Sequence, residues 1–170
     1  MEFNEIKSFQ EPCAKEIYHS YISSFPEDER RDEPQFVQLF TNPNVKILSV
    51  SENQENVGYL IIWLLSEFVF LEHFEVFETF RNRKLGGKIL EKLCSQFSEI
   101  ILESEPEHLN ETASRRIGFY LRNGFSIVAD DYIQPSYGKG KQPLNLFLLS
   151  NFEIISSSEI ISEIHQTVYK

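Results

Sequence analysis

At 170 residues the chain has the length of one domain with room for a sizeable core. Its 41% hydrophobic and 25% charged content is that of an ordinary globular protein, with no low-complexity tract or repeat. A net charge of -10 and a pI near 4.9 disfavour generic binding to nucleic acid or to an anionic membrane.

Residues 4–9 alternate weakly and read as an opening strand. Pro12 suits a first helical turn, and Ala14, Ile17, Tyr18, Tyr21, Ile22 and Phe25 follow at helical spacing until Pro26. The charged turn FPEDERRDEP leads to a second helical piece over residues 35–40. Strands are predicted over 46–51 and 57–65 around a polar SENQEN turn, and a further strand over 68–77. The apolar run from 57 to 71 is short for a bilayer and contains Ser66 and Glu67, so two adjacent strands explain it better than a membrane span.

A helix over 82–97 buries Leu85, Ile89, Leu93 and Phe97, joined by Leu90 and Cys94. A short strand over 100–105 follows. Asn110 caps the next helix, with Ala113, Ile117, Tyr120 and Leu121 on one face and Asn123-Gly124 as its stop. A strand over 125–129, a loop over 130–142 and a closing strand over 144–149 complete the sheet. Ser156 and Glu159 form a capping-box pattern before a last helix striped by Ile160, Ile164 and Val168.

The stretch with most chemistry is the turn after residue 77. Arg81, Arg83, Lys84 and Lys88 crowd around Gly86-Gly87, and residues 81–92 hold five of the sixteen Lys and Arg of an acidic chain. Each glycine in a first helical turn costs about 1 kcal/mol relative to alanine, which suggests a ligand approaching bare backbone. The first N–H groups of a helix lack internal partners and favour pyrophosphate. A solvated basic helix start explains the same residues. A P-loop is excluded because Ile89 follows Lys88 where Ser or Thr is needed, and no GxGxxG occurs.

Arg81-Asn82-Arg83-Lys84-Leu85-Gly86 resembles the acyl-CoA loop of the GNAT N-acetyltransferase superfamily, Arg/Gln-x-x-Gly-x-Gly/Ala after a strand. Lys84 stands where that pattern has its first glycine. The run from Arg116 to Phe125, RIGFYLRNGF, resembles the superfamily's FYxxxGF segment. FPEDERR, LEHFEV and YIQPSY add weaker matches in the same order, so the resemblance covers most of the chain. It implies a mixed α/β fold: a central sheet of about seven strands flanked by helices, with an extra C-terminal helix. It also implies that the strands on either side of the main helix run parallel and splay around acetyl-CoA, the acetyl donor.

Acetyl transfer to an amine needs a base, because an alkylammonium has a pKa of about 10, together with oxyanion donors and an acid for the leaving thiolate. The resemblance implies Glu72 as base, four residues before Val76, and Tyr120 as acid. Backbone near Phe74 and Val76 would take the pantetheine arm; Arg81, Arg83, Lys84, Leu85, Gly86, Gly87 and Lys88 would take the pyrophosphate. Strand alternation places Glu72, Phe74 and Val76 on one face and His73 and Glu75 on the other. A solvated strand carboxylate and an ordinary packed tyrosine are the bland readings of Glu72 and Tyr120.

Glu103 and Glu105 share a strand face, and with Phe25 and Tyr137 they are the candidates for binding the acceptor; a structural turn and a solvated acidic surface explain these equally well. Cys13 and Cys94, the two cysteines, fall on apolar helix positions and read as free buried thiols without disulfide, zinc or nucleophile spacing. An N-terminus carrying Glu2, Asn4 and Glu5 lacks a signal-peptide pattern, so a cytoplasmic location is expected. The expected activity is metal-free transfer to a small-molecule primary amine by direct attack in a ternary complex, by a monomer or homodimer. An acyl-CoA-binding sensor with little turnover is the alternative, and an unrelated α/β interaction domain is the third reading.

Overall fold

The apolar runs read as strands pair into one seven-stranded sheet, and the computed structural model describes all residues, 1–170. In chain order the elements are β1 (Glu2–Ile6), α1 (Pro12–Ser24), α2 (Glu33–Leu39), β2 (Val45–Glu52), β3 (Glu55–Leu64), β4 (Val69–Val76), α3 (Leu85–Gln96), β5 (Ile100–Ser104), α4 (Glu111–Arg122), β6 (Ser126–Gln134), β7 (Leu144–Ser150) and α5 (Ser157–Val168). The strand order is β1-β2-β3-β4-β5-β7-β6, and only β4 and β5 run parallel.

The two faces of the sheet bury separate cores. On one, Tyr21 of α1, Phe36 of α2 and Ile164 and Val168 of α5 pack over Tyr59, Ile61 and Phe70. On the other, Leu85, Ile89 and Leu93 of α3 and Ile117 and Tyr120 of α4 pack over Leu60, Ile62 and Leu71. No helix is long and apolar enough to cross a membrane.

Local chemistry explains most boundaries. Asp32 and Gln35 form a capping box on α2, and the Asn110 side chain accepts from the Ala113 N–H at 2.8 Å to start α4. Asn53 and Gln54 both take positive φ, which a two-residue hairpin between β2 and β3 requires.

Five expectations are corrected. The first strand begins at Glu2 rather than residue 4 and ends at Ile6. The main helix starts at Leu85 rather than residue 82, because Asn82 and Lys84 are left-handed (φ 65° and 59°) and cannot be helical. The strand expected over 125–129 runs on to Gln134; as a sheet edge it tolerates exposed Asp130 and Asp131, whose polarity reads as loop. Leu121 is 45% exposed, off the buried stripe of α4. Ser156 makes no cap to the α5 backbone; its hydroxyl pairs with that of Ser158 at 3.1 Å.

Candidate functional site

The parallel pairing of β4 and β5 lasts three residues, Val69↔Ile100 to Leu71↔Leu102, although β4 continues to Val76. From Glu72 onward one edge of β4 therefore has no strand partner, and its backbone groups face open space. That space is a cleft of about 910 Å³, lined by β4, the end of β5, the loop before α3, and one side of α4.

A bulge shapes the cleft. Opposite Ile61 and Ile62 the register slips by one residue, so His73 pairs with Ile61 but Leu71 pairs with Ile62. The extra residue breaks the alternation. Glu72, His73 and Glu75 all contact partners from the α1, α2 and α5 side, whereas Phe74 packs against Phe119 of α4. This corrects the expectation that Glu72 shares a face with Phe74 and Val76.

Glu72 is not an accessible base. Its side chain is fully buried and only its backbone reaches the cleft. Oε1 accepts from Arg31 Nη1 and from the Tyr137 hydroxyl at 2.8 Å; Oε2 accepts from Trp63 Nε1 at 2.8 Å. Burial pushes the carboxyl up, but the Arg31 guanidinium and the surrounding donors outweigh it and hold the group well below the usual carboxylate range. Tyr137 is likewise corrected. It is 6% exposed and does not line the cleft, because its hydroxyl is committed to Glu72 and its ring lies under Arg31.

Four other carboxylates line the cleft: Glu29, Glu75, Glu103 and Glu105. Glu75 is 5% exposed; its Oε1 accepts from Ser20 and Ser24 of α1 and from Arg81 at 3.3 Å. Glu105 pairs with Arg116 at 3.0 Å. Burial raises the Glu29 carboxyl above its ordinary value. Glu103 sits one residue past the last β4–β5 pair, and burial pushes its carboxyl up to about 8. Its Oε1 accepts from the Tyr169 hydroxyl, and its buried Oε2 has no hydrogen-bond partner.

Phe25 lines the cleft with its ring 4.6 Å from that of His73, edge-on. Tyr120 lines it from α4, and burial pushes its phenol up to about 12. Phe74 and Val76 line it from β4, with the Val76 carbonyl accepting from Arg81 Nε at 3.1 Å.

The start of α3 is electrostatically bare. No side chain caps it and no acidic residue lies in its first turn, unlike α2 and α4. Arg81, Asn82 and Gly86 line the cleft, while Arg83, Lys84, Leu85, Gly87 and Lys88 lie outside its lining. Leu85 is a core side chain, so only its backbone can serve a ligand. Arg83 stacks over Phe80 at 5.1 Å, and Lys88 reaches Glu52 at 3.4 Å. Neither glycine has a positive φ, and a Cβ at Gly86 would meet Phe119 at 3.4 Å, a tight but not prohibitive contact. The left-handed backbone falls instead on Lys84, where the resembled pattern has glycine.

Arg31, Trp63 and Tyr169 escaped the sequence reading, whereas Glu29, beside Phe25 in the charged turn, does line the cleft as that reading expects. Arg31 lies in a run of charges that reads as solvated, and only the fold reveals that it is 6% exposed. No group of three or more His, Cys, Asp or Glu side chains converges as a metal site.

Comparison with known proteins agrees with this architecture. Residues 14–125 match the family model described as Acetyltransferase (GNAT) family. A protein from Bacteroides thetaiotaomicron assigned to the GNAT acetyltransferases superposes with a TM-score of 0.93 at 28% identity, over 99% of this chain and 98% of that one. Two more distant structures share the fold. The ribosomal-protein-S18-alanine N-acetyltransferase of Escherichia coli has a TM-score of 0.62 at 15% identity, over 88% and 91% of the two chains. A GNAT family acetyltransferase from Elizabethkingia anophelis with acetyl-CoA bound has a TM-score of 0.60 at 15% identity, over 88% and 95%. A search of curated proteins gives no match.

Proposed function

The chain belongs to the GNAT family of acetyltransferases, enzymes whose acetyl donor is acetyl-CoA, and from that premise we propose that it acetylates a primary amine of a small molecule. The reading is of a single-domain cytoplasmic enzyme in which the amine attacks the thioester directly, within a ternary complex. The observation that carries it is one continuous cleft joining the bare start of α3, the unpaired edge of β4 and the raised carboxyl of Glu103.

The parts have distinct tasks. The first N–H groups of α3 and Arg81 favour the donor's pyrophosphate. The open edge of β4 over residues 72–76 offers backbone groups to the amides of the pantetheine arm and to the acetyl oxygen. Glu103 replaces Glu72 as the proton acceptor. A carboxyl near 8 is a stronger base than an ordinary one, and it faces an ammonium whose pKa is about 10.

Tyr120 supplies a hydroxyl to the departing sulfur. A phenol near 12 stays protonated, and it lies above a thiol of about 8.5, so it acts by hydrogen bonding rather than by full proton release. Neither cysteine lines the cleft, and burial pushes both thiols up, which favours direct attack over an acyl-enzyme.

The test is calorimetry with acetyl-CoA and CoA, followed by thiol release from acetyl-CoA with a panel of primary amines. Gly86→Glu puts a carboxylate beside the pyrophosphate position. At about 5 Å and an effective dielectric of about 20, the repulsion is about 3 kcal/mol, a loss of roughly a hundredfold in affinity. Binding lost in Gly86→Glu and turnover lost in Glu103→Gln are expected. Binding with no turnover on any amine would favour the acyl-CoA sensor. No binding by the folded protein would sink both.

A further inference from the structure

The C-terminal helix lies outside the residues matched by the family model, yet its end reaches, from behind the cleft, the lining residue Glu103 and the buried Arg31. Two consecutive residues make the contact. The Val168 carbonyl accepts from Arg31 Nη2 at 2.7 Å, and Arg31 Nη1 is the group that holds Glu72. The Tyr169 hydroxyl donates to Glu103 Oε1, the one hydrogen bond that this carboxylate accepts. The Tyr169 ring packs on Tyr137 at 5.2 Å and edge-on to His165 at 6.4 Å, and His165 Nε2 lies 3.0 Å from the Ile133 carbonyl of β6. A side chain held on three sides has little freedom to leave the carboxylate.

We propose that Tyr169 is a positioning residue of the active site: its hydroxyl orients Glu103 and sets the pH at which that carboxylate accepts a proton from the acceptor amine. The proposal rests on the reading of Glu103 as proton acceptor. The groups facing Glu103 come from five segments. They are Tyr169 after α5, Tyr132 of β6, Tyr137 in the loop after β6, Glu72 of β4 and Arg31 in the segment before α2. Tyr132 is 1% exposed, and its hydroxyl, outside hydrogen-bond geometry, still lies close enough to Glu103 to lower the carboxyl in the same direction as Tyr169.

The direction follows from the geometry. An O–H that donates to a carboxylate stabilises the ionised form, so it opposes the burial that raises Glu103. Without it the carboxyl binds its proton more tightly. Orientation follows as well, because the hydrogen bond fixes Oε1 and leaves Oε2 as the unpartnered, buried oxygen.

Tyr169→Phe keeps the ring against Tyr137 and removes only the donor. Two readouts decide. The first is the titration of the Glu103 δ-carbon by NMR in glutamate-labelled protein, with the resonance identified by its absence in Glu103→Gln. The second is the pH dependence of kcat/KM. In the variant the carboxyl midpoint, about 8 in the wild type, is expected to rise by about one unit. The acid limb of kcat/KM moves with it, which makes turnover at pH 7 about tenfold slower while the loss shrinks towards pH 10. An unmoved carboxyl midpoint in a variant with wild-type circular dichroism overturns the proposal. A moved midpoint with an unmoved rate profile overturns it too, by removing Glu103 as the proton acceptor. If the wild type acetylates no amine, the functional reading fails instead, and the NMR midpoint still decides whether Tyr169 sets the protonation of Glu103.

Discussion

Glu72→Gln separates a buried ion pair from a catalytic base, because the two readings put its cost in different places. The carboxylate accepts from Arg31, Tyr137 and Trp63, and the Arg31 side chain is 7% exposed. A glutamine fills the same volume but carries no charge and has one acceptor oxygen in place of two. The guanidinium then stays buried without a counter-ion. Breaking one side of such a pair costs about 3–5 kcal/mol, against about 0.5 kcal/mol for an exposed Glu→Gln change. For a chain of this size, each kcal/mol lowers Tm by about 2–4 °C, so a drop of about 6–20 °C is expected.

Urea unfolding at pH 7 gives the free energy, and the same preparation gives kcat/KM. The folded-state affinity of Glu72 for protons is depressed below the ordinary value of 4.5. The pair's contribution is therefore complete above that pH and is lost as pH falls through the lower folded value. The gap between wild type and variant should be constant from pH 6 to 8 and narrow only in acid. Adding Arg31→Met should restore part of the stability, since the uncompensated charge is then gone. A variant as stable as wild type, with turnover abolished, would refute this reasoning and return Glu72 to the role of base.

Gly58 faces β4 with no room for a side chain: a Cβ would lie 2.1 Å from the Glu75 carbonyl oxygen. Gly58→Ala should therefore part β3 from β4 beside the cleft, lowering stability by about 3 kcal/mol and weakening acetyl-CoA binding, both read from urea midpoints and calorimetry. Glu103 has the opposite sign to Glu72. Its folded pKa of about 8 lies above 4.5, so it costs stability increasingly as pH rises from 4.5 to 8. Glu103→Gln should match the wild type at pH 5 and exceed it in Tm at pH 9; an equal gap at both pH values would contradict the raised carboxyl. At Lys84, with φ 59°, Gly should leave stability within about 1 kcal/mol, whereas Val should cost about 2 kcal/mol. Equal unfolding midpoints for the two variants would mean that the loop relaxes.

Elements with strong periodicity were readable because one face of each must be buried. Leu85, Ile89 and Leu93 announce α3, and the apolar run from Phe68 announces the strand that feeds it. The bulge at Glu72–His73 was not readable. A period-two argument assumes an unbroken ladder, and one inserted residue moved Glu72 to the other face. Arg31 was hidden for a different reason. Its neighbours in FPEDERRDEP are charged and mostly surface residues, and burial is imposed by Glu72, forty-one positions away. Tyr169 had no local signal, since its role depends on where α5 docks.

The two carboxylates at the opening of the sheet show how position and partner divide the work. Glu72 and Glu103 each follow the last residue paired between β4 and β5, Leu71 and Leu102. Both are buried, and burial alone would raise both. Arg31 lies against one of them. It holds Glu72 ionised as an anchor for Trp63, Tyr137 and, through Val168, the C-terminal helix. Glu103 receives a hydroxyl in place of a cation, so its carboxyl stays near 8, where a proton can be taken and returned. One guanidinium, paired with Glu72 and only near Glu103, thus separates a structural anion from the proposed base. The same arginine ties down the helix whose next residue, Tyr169, donates to Glu103, the contact on which the proposed tuning rests.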